Sequence, residues 1–191
     1  MNKLKRILLW LVGSIGILTL IFFLIVSPIL KKNTKKFSPE HNVVYTQGDL
    51  QIDVFYCSPS KKGRKIFGGL VPYGEVWRTG ANEATTFTTN KDLIIDGKKL
   101  VTGNYSIWTI PEKDSWTIIF NNKMYNWGIK RGSGKAARDS DFDALTTEAK
   151  VSRSLTTNES FSITLNEIEP GTTVMLFSWD NVVVPLEIKK K

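Results

Sequence analysis

The sequence predicts an all-β domain, an antiparallel β-sandwich of jelly-roll-like or barrel-like form, behind one N-terminal transmembrane helix. Three observations predict it. Beyond residue 42 the apolar residues recur with period two, as in Gln51-Ile52-Asp53-Val54-Phe55-Tyr56-Cys57, where Ile52, Val54 and Tyr56 share a face. The alternating runs are short, closely spaced and bounded by turn chemistry, which suits a sandwich or barrel. Ahead of them, Ile7 to Leu30 is a run of 24 residues without a charge, and about 20 apolar residues span the hydrocarbon core of a bilayer.

The elements follow in order. Residues 1–6 are a short tail, 7–30 the anchor, 31–42 a basic linker containing Pro39, 43–188 the β-domain and 189–191 a lysine tail. The charge-free run is longer than the apolar core of a signal peptide, and no small-residue cleavage pattern follows it, so an uncleaved anchor is expected. Strands are expected at 51–57, 84–89, 92–96, 103–110, 115–121, 148–154, 160–167, 172–179 and 181–188. Their boundaries carry turn formers: Asp96-Gly97, Thr102-Gly103, Pro111 to Asp114, Glu169-Pro170-Gly171 and Asp180-Asn181. Leu93 to Leu100 reads as a tight strand-turn unit. Asn104–Ile110 and Ser115–Phe120 read as a hairpin closed by a four-residue turn. One short helical turn fits within 137–149. Trp108, Trp116, Trp127 and Trp179 are read as core or rim packing.

The formal charge of +8 is localised. Residues 1–36 hold seven bases and no acids, which leaves 19 bases against 18 acids for the rest, three of those bases being the terminal lysines. The domain itself is nearly neutral and lacks the clustered bases that nucleic-acid binding needs. One cysteine, Cys57, and one histidine, His41, are present. No intrachain disulfide can form, and a Cys/His zinc site lacks ligands. A histidine-based triad would depend on His41, beside the basic linker. Cys57 is read as a buried apolar residue. Arg131 to Lys135 fails as a phosphate loop, because Ile129 and Ala136 occupy its first glycine and its hydroxyl position. Asp139-Ser140-Asp141-Phe142-Asp143 fails as a calcium loop, because Ala144 and Lys150 stand where glycine and glutamate belong. No cofactor, metal ligand set or catalytic residue is assigned.

Between the strand ending at Cys57 and the one starting near Ala84 lie about 25 residues without a period. Phe67, Leu70, Val71, Tyr73, Val76 and Trp77 are too apolar to stay solvated, so the segment is expected to be an ordered cover. Its glycines permit positive φ or close approach. Its polar residues are Arg64, Glu75, Arg78, Asn82 and Glu83. Two readings stand side by side. In one, Arg78 with Glu83, or Arg64 with Glu75, forms an ion pair that locks the cover down. In the other, Tyr73 and Trp77 wall a pocket to which Arg64, Glu75, Arg78, Asn82 and Glu83 offer polar contacts, suited to a carboxylate-bearing or sugar-like ligand. A carboxylate pair, Glu75 with Glu83, would suit glycoside hydrolysis.

Residues from about 50 to 128 resemble a bacterial family, domain of unknown function 2911 (DUF2911). The resemblance is carried by Tyr56-Cys57-Ser58-Pro59-Ser60, Gly63-Arg64, the stretch 64–84 with Ala81-Asn82-Glu83-Ala84-Thr85, and Gly97-Lys98-Lys99-Leu100. It continues through Gly103-Asn104-Tyr105-Ser106, Thr109-Ile110-Pro111, Trp116-Thr117-Ile118-Ile119 and Trp127-Gly128. Cys57 departs from the family pattern, which more often has arginine there, and 129–147 matches poorly. The resemblance implies a β-fold and an exported domain, and no established activity. The expectation is therefore a single-pass protein of the inner (cytoplasmic) membrane, held through residues 7–30, with its C-terminal domain extracytoplasmic or periplasmic. It is expected to act as a non-catalytic binding or cell-envelope interaction module for a small-molecule, sugar or envelope ligand, without nucleic acid. A hydrolase acting on an envelope glycan through Glu75 or Glu83 is the alternative.

Overall fold

The computed structural model describes residues 2–130 and 132–191, with Lys31 by its backbone alone. Arg131, in the basic loop Arg131–Lys135, lies outside the described residues. The chain divides into two compact units, 1–37 and 38–191.

The first unit is helical. Helix α1 (Lys3–Ile21) passes through a π-turn (Phe22–Val26) into α2 (Ser27–Phe37). Leucines and lysines are good helix formers, and the glycines of this stretch, Gly13 and Gly16, stand singly. It is long and apolar enough to cross a membrane by length and composition. The basic linker expected at 31–42 takes a different form: helix continues to Phe37, and a strand begins at Glu40.

The second unit is built of antiparallel strands in two sheets. One has six strands in the order β1 (Glu40–Gln47), β2 (Leu50–Cys57), β3 (Thr85–Thr89), β6 (Gly103–Pro111), β7 (Ser115–Asn121), β8 (Asp143–Lys150). The other runs β5 (Lys98–Leu100), β4 (Leu93–Ile95), β10 (Thr172–Lys190), β9 (Ser152–Glu169). The expected hairpin is β6–β7. Asp96 and Gly97, both at positive φ, close β4 onto β5 as a tight hairpin turn demands. Two expectations at the C-terminus change. Asp180-Asn181, read as a turn, is an irregularity inside one 19-residue strand, with Asp180 at φ 55°. The strand expected from 148 lies mostly earlier, as β8, and β9 begins at Ser152. The helical turn within 137–149 is a 3-10 turn at Ser140–Phe142.

Period two explains the layers. Trp116, Ile118 and Phe120 of β7 point between the sheets with Ile52, Val54, Phe87 and Ile107, where they meet Phe161, Phe177, Trp179 and Val184 of the other sheet. Their neighbours in sequence, Trp108 and Ile119, face outward and bury instead against Ala84, Val76, Tyr125 and the 136–137 segment. Along one side the sheets are stitched together: Tyr45 accepts from Thr173 Oγ1 (2.8 Å), and Ser58 Oγ donates to the Phe161 carbonyl (2.6 Å).

The failed calcium loop has a structural role. Asp139 caps the 3-10 turn and pairs with Lys123 (3.0 Å), while Asp143 pairs with Arg138 and accepts from Asn121 (2.8 Å). Cations of the chain itself hold these carboxylates.

Candidate functional site

The cover between β2 and β3 is ordered, as its apolar content requires. Lys61 N–H donates to the Glu159 carbonyl (2.6 Å), and the Lys61 ammonium meets Asp180 (2.6 Å). Trp77 exchanges two backbone hydrogen bonds with Thr109 (2.7 and 3.0 Å), so the cover runs beside β6 past the end of β3. Gly68, at φ 71°, lies under the Tyr73 ring, where a Cβ would stand 2.6 Å from a ring carbon.

The structure separates the sequence candidates into two groups. Arg64 is exposed and folds back on its own loop, donating to the Lys61 (3.0 Å) and Ser60 (2.5 Å) carbonyls. Glu75 is exposed, and Tyr73 is half-buried against the main core. Trp77 belongs to the core: it stacks on Trp179 (6.0 Å, 19°) and meets Phe161, Trp116 and Phe67 edge-on. Its Nε1–H donates to the Gly80 carbonyl (3.0 Å). These four neither converge nor pair; Arg64 does not bond Glu75.

Arg78, Asn82 and Glu83 do come together, in a turn fixed from every side. The Thr85 hydroxyl donates to the Thr79 carbonyl (2.6 Å), the Ala81 N–H to the Cys57 carbonyl (3.3 Å) and the Gly128 N–H to the Asn82 carbonyl (3.2 Å). Thr79 and Asn82 both sit at φ 56°, and Thr79 is fully buried. A β-branched residue in the left-handed region is strained by about 1–3 kcal/mol and persists only where its surroundings over-determine it. Gly80 passes so close to β2 that a Cβ would stand 2.9 Å from the Cys57 carbonyl oxygen.

The Arg78 stem lies against Gly128, where a Cβ would stand 2.4 Å from Arg78 Cδ and 2.7 Å from its Cβ. Its guanidinium makes no hydrogen bond or ion pair among the described residues, and its Nη1 is buried without an acceptor. Asn82, only 8% exposed, likewise keeps its Nδ2 buried without a partner. Burial lowers the pKa of Arg78, and the nearby Cys57 and Glu83 act against that shift. The ion-pair reading of Arg78 with Glu83 is not realised.

Two residues join this corner that sequence reasoning did not place there. Cys57 ends β2 opposite Glu40 of β1, and its thiol donates to Glu83 Oε2 (3.3 Å). One ligand atom each from Glu40, Cys57 and Glu83 lie within 4.8 Å of one another. Such a set could in principle offer three donors to a cation, but the neighbouring guanidinium opposes a second positive charge. The thiol is also poorly suited, since burial, and then its bond to Glu83, push its pKa up to about 11. A pKa raised by folding favours the native state below the ordinary thiol value, and that contribution is lost as pH rises through about 11. Iodoacetamide at pH 8 is accordingly expected to leave Cys57 unmodified in the folded protein and to alkylate it once denaturant is added. Fast labelling of the native chain would contradict this burial.

The pairing of Cys57 with Glu40 is set by the β1–β2 register, and β1 is an edge strand with a polar first half, so no local signal exposes it. No curated protein and no solved structure matches the chain. A family model does match, over residues 38–188, and so takes in all but the last three residues of the β-unit, including 129–147 and every residue of this corner. The chain therefore belongs to the family described as Protein of unknown function (DUF2911).

Proposed function

We propose that the chain is a single-pass membrane-anchored binding domain, facing away from the cytoplasm, that takes an oxyanion-bearing small molecule at the Arg78–Asn82–Glu83 corner. The observation that carries this reading is the pair of buried donors, Arg78 Nη1 and Asn82 Nδ2, without acceptors. A buried donor left unmade costs roughly 1–3 kcal/mol, so native interiors almost always satisfy one. Two in one strained turn, one of them a guanidinium, suit a carboxylate or similar oxyanion, which accepts several hydrogen bonds and gains a charge-assisted contact. The outward orientation is tested by protease added to intact spheroplasts, which would spare an inward-facing domain. The glycan-hydrolase reading has less behind it, because Glu75 is exposed and Glu83 is engaged by the Cys57 thiol.

The test is thermal unfolding of the full chain in detergent micelles with amino acids, uronic acids, short carboxylates, phosphate and neutral sugars. Oxyanions are expected to raise the melting temperature, since a ligand at 100 times its Kd stabilises by about 2.7 kcal/mol. Asn82→Asp keeps the shape and tolerates the left-handed backbone, but replaces a donor by a like charge. It is expected to abolish the shift. Stabilisation by neutral sugars alone, or by nothing tested, would count against the proposal.

A further inference from the structure

Gly128 is a glycine for a reason that its own backbone does not supply. Its φ is not positive, so its conformation is open to any L-residue. What excludes a side chain there is the Arg78 stem. A Cβ at 128 would stand 2.4 Å from Arg78 Cδ, 2.7 Å from its Cβ and 3.1 Å from its Cγ. Contacts that close are not tolerated, so the stem takes its course through the space that Gly128 leaves open. The direction of the guanidinium at its end follows from that course.

The same residue holds the second donor. The Gly128 N–H donates to the Asn82 carbonyl (3.2 Å), and Asn82 sits at φ 56°. A residue in the left-handed region keeps that conformation while its surroundings hold it there. Gly128 is itself well anchored. Its carbonyl accepts from the Ala137 N–H (3.1 Å), and Ile129 bridges to Ala136 beside it. Ala136 and Ala137 pack with Tyr125 against the buried Trp108, Ile119 and Ala84. Tyr125 meets Trp108 edge-on at 5.1 Å, and its hydroxyl accepts from the Asp139 N–H (2.8 Å). Arg78 and Asn82 lie in the connection from β2 to β3, and Gly128 lies in the connection from β7 to β8.

We propose that Gly128 is the positioning residue of the oxyanion site, aiming Arg78 and Asn82 together from a separate connection of the fold. The proposal rests on the oxyanion reading above. Donors held in place before a ligand arrives lose less to ordering when it binds. Gly128 therefore contributes to affinity without touching the ligand.

The experiment titrates the full chain in detergent micelles with succinate and with glucuronate, by calorimetry. Gly128→Ala is expected to raise the Kd by about fivefold or more, since a misplaced guanidinium forfeits a charge-assisted hydrogen bond. A role in stability alone would lower the melting temperature and leave the Kd of the folded protein unchanged. Gly134 is the control: it lies at φ 68°, and a Cβ there meets nothing within 4 Å. Asn tolerates that backbone, so Gly134→Asn should bind within about twofold of wild type. A smaller loss in Gly128→Ala, or an equal loss in Gly134→Asn, overturns the proposal and leaves the oxyanion reading standing. Wild type that binds neither compound overturns both. Hydrogen exchange of wild type decides the matter should Gly128→Ala fail to fold. Saturating succinate is expected to slow exchange across 126–130 as well as 78–85, and slowing confined to 78–85 overturns the proposal.

Discussion

Trp77→Ala is expected to destabilise the β-unit by about 3 kcal/mol, the low end of the range for losing a large aromatic from a core. Trp77 is only half-buried, yet four aromatic rings surround it, with centroids between 5.0 and 6.3 Å away. Its removal leaves a cavity among rings that cannot all close in, and leaves the buried Gly80 carbonyl without the indole N–H at 3.0 Å. For a domain of this size the melting temperature should fall by roughly 6–12 °C. Trp77→Phe keeps one ring of the contact and loses the hydrogen bond and part of the packing, so it should cost less, about 1–2 kcal/mol. Thermal unfolding of both variants in detergent checks the pair. A Trp77→Ala protein that melts like wild type would make Trp77 a removable wall of a binding surface and not part of the core.

That result bears on what the sequence can reveal. The β6–β7 hairpin and the Asp96-Gly97 turn were legible because period two and turn chemistry are local. An ordered cover over 60–83 was legible because its apolar side chains have nowhere else to go. The roles within the cover were not. Nothing in the string Val76-Trp77-Arg78 states that Trp77 turns into the sandwich; the backbone bridge to Thr109 decides it. Strand β1 was legible only in part, since Glu40-His41-Asn42 is polar and an edge strand has just one neighbour to satisfy. The helix ran past the expected linker because lysine is a good helix former whatever its solvation. Asp180-Asn181 has the composition of a turn, but here Asp180 absorbs a register shift while β10 continues. Cys57 and Glu40 entered the candidate site through strand register, which joins residues 17 positions apart in sequence.

Arg78 is the residue on which the two readings of the cover part. A lock would need the guanidinium to hold something, and it holds no carboxylate and no carbonyl among the described residues. Its contribution to the free protein is then packing of its stem on Gly128, set against the cost of a desolvated charge. Methionine preserves the stem and removes the charge. Arg78→Met should therefore leave the unliganded protein as stable as wild type, or more stable by up to about 2 kcal/mol. The attraction between Arg78 and Glu83 is lost as well, but without direct contact it is worth little. The same variant should lose all stabilisation by carboxylates, because the charged half of the donor pair is gone. The most direct measurement is the melting temperature of full-length Arg78→Met beside wild type in one detergent, without ligand and with an oxyanion that stabilises wild type. An unchanged or higher melting temperature without ligand, together with loss of the ligand-induced rise, is the predicted result. A fall of about 5 °C or more without ligand, or a ligand-induced rise equal to that of wild type, would contradict it.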